Sequence, residues 1–359
     1  MTFQQSPGIL PPPLPAGSVS LVEVTRGPLT ESRHHGHIVA VDPHGKVVAF
    51  AGSPETTTYM RSSAKLHQAL PLVASGAADR FGFTEREVAL ACASHSGEPI
   101  HTEIAASMLR KIQLPETALH CGIHQPFSAD VVRELQARGE QPNVLQNNCS
   151  GKHAGMLALA LHLGAPTESY FQPEHPVQVM IKSCVSQFSA LPVGEIAVGI
   201  DGCGVPVFGI KLAAMALMYA KLVSPPPNLD EVTAAACRRI VAAVIAYPEL
   251  IGGTKDRLDT EVMRASPGGL ISKVGAEGVY TVGILPSREW PDGLGLALKI
   301  EDGDDHRARP TVVVEALRQL GVLKDKSLAA LSRFRTFPVK NNREDQVGEV
   351  KAVFNLNRV

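Results

Sequence analysis

The chain has almost no excess charge of either sign: 34 lysines and arginines face 35 aspartates and glutamates, a formal net charge of −1 with histidine neutral. That excludes the electrostatic footprint of a nucleic-acid binder or of a protein drawn to an anionic membrane surface. No apolar run reaches the roughly 18 residues of a membrane-spanning helix, so no span is expected. Met1 to Gly17 lacks the basic start and apolar stretch of a secretory leader. Cys-x-x-Cys pairs are also missing: the six cysteines, Cys92, Cys121, Cys149, Cys184, Cys203 and Cys237, are scattered. Scattered thiols suit a reducing compartment better than a disulfide framework, so the expectation is a cytoplasmic protein. There is no repeat of fixed period.

What is present is a globular composition, 44% hydrophobic over 359 residues, enough for one large domain or two intimate ones. Met1 to Gly17, with Pro11-Pro12-Pro13, reads as an extended arm. Val19 to Val24 and His37 to Ala51 cluster strand formers around an Asp42-Pro43-His44-Gly45 turn, predicting an antiparallel ribbon. Helical periodicity then dominates. It starts at Ser62, where Pro71 should end or kink the first helix, passes a capping box at Thr84 and Glu87, and runs to about Tyr247, broken by a strand at Ile196 to Ile200. Strand signals return at Val279 to Leu285 and Leu294 to Ile300, followed by a helix from about Thr311 and a last strand near Val347 to Phe354. Strands at both ends with helices between them predict an α+β fold. Residues 18–61 and 268–359 form the sheet part, residues 62–267 the mainly helical part, and a site would lie where they meet.

Five segments carry chemistry. Ser62 and Lys65, one helical turn apart, make a Ser-x-x-Lys pair in which a neutral amine can take the hydroxyl proton during attack on a carbonyl. Ser94-His95-Ser96-Gly97-Glu98 is too small and polar for core. Asn147-Asn148-Cys149-Ser150-Gly151-Lys152-His153 precedes an apolar helix and gathers amides at its N-terminus. Its Gly151-Lys152 is not a phosphate loop, because Gln146 stands where the pattern requires glycine and no Ser or Thr follows Lys152. Asp201-Gly202-Cys203-Gly204 ends a strand in glycines. Lys273-Val274-Gly275-Ala276-Glu277-Gly278 is a Lys-x-Gly element leading into a strand, like the partner of Ser-x-x-Lys pairs.

Taken together, these five segments resemble the Rhizobium etli-type L-asparaginases across nearly the whole chain, and more distantly the serine β-lactamases and glutaminases. The resemblance implies a β-lactamase/glutaminase-like fold, commonly homodimeric, that hydrolyses the side-chain amide of L-asparagine. It also implies two Ser-Lys tandems, Ser62 with Lys65 and Ser94 with Lys273, and a Zn²⁺ site on Cys149, Lys152 and Cys203 plus a water. In the expected mechanism Ser62 attacks, Lys65 takes its proton, and Ser94 with Lys273 relays a proton to departing ammonia, while zinc tunes binding without supplying the nucleophile. Because two lysines in one pocket disfavour each other's charge and burial pushes the same way, one of them can be neutral. Arg61, Asp201 and His153 are the candidates for holding substrate. Glutaminase activity is the near alternative, since one methylene is worth only about 1–3 kcal/mol in a simple pocket. A penicillin-interacting hydrolase lacks support without a clear Ser-x-Asn element, and a non-catalytic thiol or zinc sensor using Cys149 and Cys203 is the alternative from another class.

Overall fold

The computed structural model describes residues 17–359, so all but Gly17 of the expected proline-rich arm lies outside the described residues. Among the described residues there are twelve strands: β1 (Val19–Arg26), β2 (Leu29–Val41), β3 (Val47–Ala51), β4 (Thr57–Tyr59), β5 (Ala197–Ile200), β6 (Pro206–Lys211), β7 (Leu270–Gly275), β8 (Val279–Ile284), β9 (Leu294–Ile300), β10 (Phe337–Lys340), β11 (Gln346–Ala352) and β12 (Asn357–Arg358). Nine of them form one antiparallel sheet in the order β10-β11-β1-β2-β9-β8-β7, with β3 on β2 and β12 on β3. Both ends of the chain therefore interleave. Val22 stands opposite Ala352, and Ile38 stands opposite Leu298. The expected α+β architecture, a sheet from both terminal segments with helices inserted, is what the chain forms.

Burial explains the strand sequences. Every residue of β8 is buried, as are Ile38 to Val41 of β2, which matches their near-continuous apolar runs and means that both faces are covered. Helix Leu212–Val223 lies so close on β9 that a Cβ on Gly295 would stand 1.7 Å from the Ala216 carbonyl oxygen. Only glycine fits there. The β7–β8 hairpin turns through Glu277 and Gly278, both at positive φ.

Between the sheet segments lie mainly helices. Ser150–Leu163 is buried along its first eleven residues, Ser150 to Ala160, as a helix that is apolar all round should be. Packed beside it is Lys65–Ala74, buried from Lys65 to Val73. Pro71 neither ends that helix nor breaks it. The His67 carbonyl, four residues earlier, would lose its partner to the missing amide, and the Cys184 thiol supplies one at 3.5 Å. The capping box of Thr84 and Glu87 opens helix Glu85–Ala91 as expected. The sequence signalled only β5 in this region, whereas β4, β6 and β5 form a second, three-stranded sheet. All six cysteines are free and buried. No helix among the described residues is long and apolar enough to cross a membrane.

Candidate active site

Helix Glu85–Ala91 stops at Cys92 and the chain runs on without regular structure, carrying Ser94, His95 and Ser96, all buried. Local bonds fix this loop. The Ser94 amide donates to Ile251 O at 2.9 Å, His95 Nε2 lies 2.9 Å from Ser150 Oγ, and Ser96 Oγ donates to Gly252 O at 2.9 Å. Arg257 completes the brace, donating to Ser96 Oγ and to the Ser94 carbonyl, each at 2.9 Å. With its backbone held, Ser94 points its hydroxyl at two lysine amines. Lys65 Nζ and Lys273 Nζ each lie 2.9 Å from Ser94 Oγ.

The two lysines are not equivalent. Lys65 Nζ also donates to Ala93 O at 2.7 Å and to Asn148 O at 3.3 Å, so three acceptors meet the three protons of an ammonium. Lys273, fully buried on β7, is pulled down to about 7, first by burial and then by the charges of Lys65 and Arg257, against the upward pull of Asp259. A neutral amine there can accept the serine proton. Among the hydrogen bonds of Lys65 none goes to Ser62, the partner expected for it. Residues Arg61 to Ala64 form a 3₁₀ turn at the pocket, and the Lys65 side chain turns inward to the three acceptors that a buried cation needs. No described residue hydrogen-bonds Ser62 Oγ, and the residue before it, Arg61, sits at φ +50°, a left-handed conformation uncommon outside glycine.

Ser62 and Ser94 both open onto a cavity of about 490 Å³, together with Asn148, Arg257, Val274 and Arg309 and a rim that includes Phe127, Phe334 and Phe337. Of the expected substrate-holding residues, Arg61 and Asp201 bind each other at 2.9 Å, with Glu277 3.8 Å from the same guanidinium. Burial would raise the Asp201 carboxyl, but Lys152 and Arg61 hold it below its ordinary value. His153 is wholly buried with Nδ1 2.6 Å from the Tyr170 hydroxyl, and burial keeps it neutral, well below the usual histidine range. None of the three lines the cavity. Arg257, Asp259 and Arg309 were not found from sequence. Thr254-Lys255-Asp256-Arg257-Leu258-Asp259 reads as a solvated charged turn, and only tertiary packing buries Asp259.

Cys149, Lys152 and Cys203 do converge. Lys152 Nζ lies 3.0 Å from Cys203 Sγ, and the Cys149 thiol bonds the same sulfur. That bond, with the Lys152 charge, draws Cys203 down to about 4 against burial, while Cys149 is pushed up to about 12. No cluster of three or more histidine, cysteine or carboxylate ligands occurs among the described residues, so a metal here must take Lys152 as a ligand. Two sulfurs and an amine on one point are a donor set that fits a soft divalent ion once their protons leave.

A buried amine titrating near neutrality, set on a serine that opens to solvent, suits acyl transfer, and the chain is an enzyme of the amidohydrolase class. More narrowly, it belongs to the L-asparaginase II family, whose model matches residues 22–352. Among solved structures it is similar to the Bacillus subtilis glutaminase YbgJ in covalent complex with 5-oxo-L-norleucine, at 14% identity, 80% of this chain, 88% of that chain and a TM-score of 0.38. A probable glutaminase from Bacillus subtilis complexed with 6-diazo-5-oxo-L-norleucine matches at 14% identity over 80% and 84%, with a TM-score of 0.40. The native form of Mglu matches at 14% over 83% of this chain and 63% of that one, with a TM-score of 0.40. Nothing about chemistry is carried over at such distances. A comparison with curated proteins finds no match.

Proposed function

We propose that the protein hydrolyses the side-chain amide of L-asparagine to L-aspartate and ammonia through an acyl-enzyme on a serine. The observation that carries the reading is the pair of buried lysine amines, each 2.9 Å from Ser94 Oγ at the foot of the cavity. Ser62, whose hydroxyl is unengaged and which follows the strained Arg61, attacks the carboxamide. Its proton enters the Ser94–Lys273 pair, Lys273 being the amine neutral near pH 7; Lys65 stays as the fixed cation that holds Ser94 in place. The same pair returns the proton to departing ammonia, and water then releases aspartate. The site thus joins the sheet part, residues 18–61 and 268–359, to the helical part, residues 62–267.

A second reading is favoured by one observation: Ser94 is the serine with a base within hydrogen-bond reach, the usual mark of an activated nucleophile. Trapping the acyl-enzyme by mass spectrometry separates the two. Ser94→Ala should still acylate and Ser62→Ala should not; the reverse result makes Ser94 the nucleophile. Ammonia release from L-asparagine and L-glutamine, measured side by side, tests the substrate itself, and turnover of neither overturns the assignment. Normal amide turnover with Cys149 and Cys203 blocked would likewise argue against a thiol sensor.

Cys149, Lys152 and Cys203 are proposed to hold Zn²⁺, which when bound supplies a positive charge near substrate. The chain's own contribution is the Arg61–Asp201 pair, which lies outside the cavity lining beside Ser62 and offers a base and an acid for the α-carboxylate and α-ammonium once substrate parts them, and His153, which stays neutral beside Lys152. A cytoplasmic homodimer completes the reading and is checked by sedimentation and fractionation.

A further inference from the structure

The helix Leu258–Ala265 carries at its second position an acid that nothing so far has used. Asp259 is 1% exposed, and neither carboxylate oxygen meets a partner in good hydrogen-bond geometry among the described residues, although the Tyr280 hydroxyl of β8 faces it. Its nearest opposite charge is Lys273, with Oδ2 3.6 Å from Nζ, an ion pair too long to be a good hydrogen bond. A buried, unsatisfied carboxylate is costly, and any small neutral residue would be cheaper for packing alone. The position of that cost is informative. The amine it faces is the one that also touches Ser94 Oγ.

Two cations around the pair pull Lys273 the opposite way, and Cys149 pulls weakly with Asp259. Lys65 from helix Lys65–Ala74 and Arg257 from the turn before Leu258 add positive charge. Cys149 at the start of helix Ser150–Leu163 and Cys92 after helix Glu85–Ala91 present thiols, while Tyr280 of β8 and Tyr219 of helix Leu212–Val223 face Asp259. Arg61 is engaged by Asp201. Asp259 is therefore the carboxylate that opposes two cations and burial at the Lys273 amine. Without it, that amine would hold a proton too weakly to draw one from a serine, and would lose the charge that keeps it beside Ser94.

We propose that Asp259 is a positioning residue of the reaction, whose carboxylate holds the Lys273 amine on Ser94 and keeps it able to take up a proton. This rests on the asparagine-hydrolysing reading. The test compares wild type, Asp259→Asn and Asp259→Glu by ammonia release from L-asparagine across pH, together with NMR titration of ¹³Cε-lysine-labelled protein, assigned with Lys273→Arg. In Asp259→Asn, kcat should fall about tenfold or more with KM changed less than about twofold, and the acid limb of kcat/KM should move down by about one to three pH units, the span of a lost charge neighbour. Asp259→Glu, which keeps the charge, should recover most of kcat and the wild-type limb. An unmoved limb and an unmoved Lys273 resonance in Asp259→Asn overturn the proposal, as does an equal loss in both variants carried by KM. If Asp259→Asn does not fold, Asp259→Glu decides: a Lys273 titration matching wild type supports the role, and one displaced downward by more than about one pH unit refutes it. Wild type without turnover would sink the functional reading alone, since the NMR titration still reports the Asp259–Lys273 coupling.

Discussion

Lowering the pH from 8 to 6 should cost the enzyme most of its activity, through one group. Lys273 is drawn to about 7 by burial and by its cationic neighbours. A group of that pKa is about 90% neutral at pH 8 and about 10% neutral at pH 6. If its free amine accepts the serine proton, kcat/KM should fall close to tenfold across that interval, with a limiting slope of one decade per pH unit. The assay is ammonia release at L-asparagine concentrations well below KM, in buffers of constant ionic strength. The same group also sets a stability trend. Its folded value lies below the ordinary 10.5 of the unfolded chain, so between about pH 7 and 10.5 the unfolded state binds the extra proton and stability rises with pH. Below pH 7 both states carry the proton and the full penalty, of order 5 kcal/mol, is present. A flat kcat/KM between pH 6 and 8, with the fold intact, would refute the assignment of Lys273 as base.

Three further outcomes follow from contacts described above. Lys65→Met should abolish turnover and lower Tm, because it strands the buried carbonyl of Ala93 and weakens that of Asn148, each worth about 1–3 kcal/mol when left unpaired; calorimetry with the ammonia assay reads both. Removing metal with a chelator, verified by elemental analysis, should raise KM for L-asparagine while saturating substrate still turns over. Complete loss of kcat would show that the metal has an essential chemical role. Gly295→Ala should yield no folded protein, since its Cβ would meet the Ala216 carbonyl at 1.7 Å; expression and circular dichroism suffice to check it.

The sheet was legible where burial is written in runs. Leu294 to Ile300 is apolar but for Lys299 and bounded by turn residues, and β9 has those same limits. Strand β6 was not legible, because Pro206 follows a glycine cluster and hid the start of Val207 to Ile210. Pro71 misled for a different reason: the thiol that rescues His67 O comes from a residue 117 positions away. At the site, the expected Ser94 and Lys273 do meet, at 2.9 Å, while the other contact of Ser94 was not foreseen. Ser62 and Lys65 look like neighbours on one helical face, yet Lys65 reaches a hydroxyl 29 positions distant, because a buried ammonium follows its acceptors rather than local periodicity. Asp259 and Arg257 were invisible for a related reason, since a charged tripeptide looks solvated until the fold closes over it.

The interleaved sheet has a consequence for synthesis on the ribosome. Strand β1 is bounded by β2 on one side and by β11, some 330 positions later in the chain, on the other. The serine of the site precedes its second lysine by 179 residues, roughly 10–40 s of translation at ordinary rates. Throughout that interval the nascent chain holds Ser62, Lys65 and Ser94 but not the second amine that meets the Ser94 hydroxyl. It also exposes the β1–β2 ribbon with one long edge unpaired, a template for pairing with the wrong chain. Lys273 is made before β11, so the β1 edge stays uncovered for longer than the site stays incomplete, and a product cut off before β11 would be adhesive.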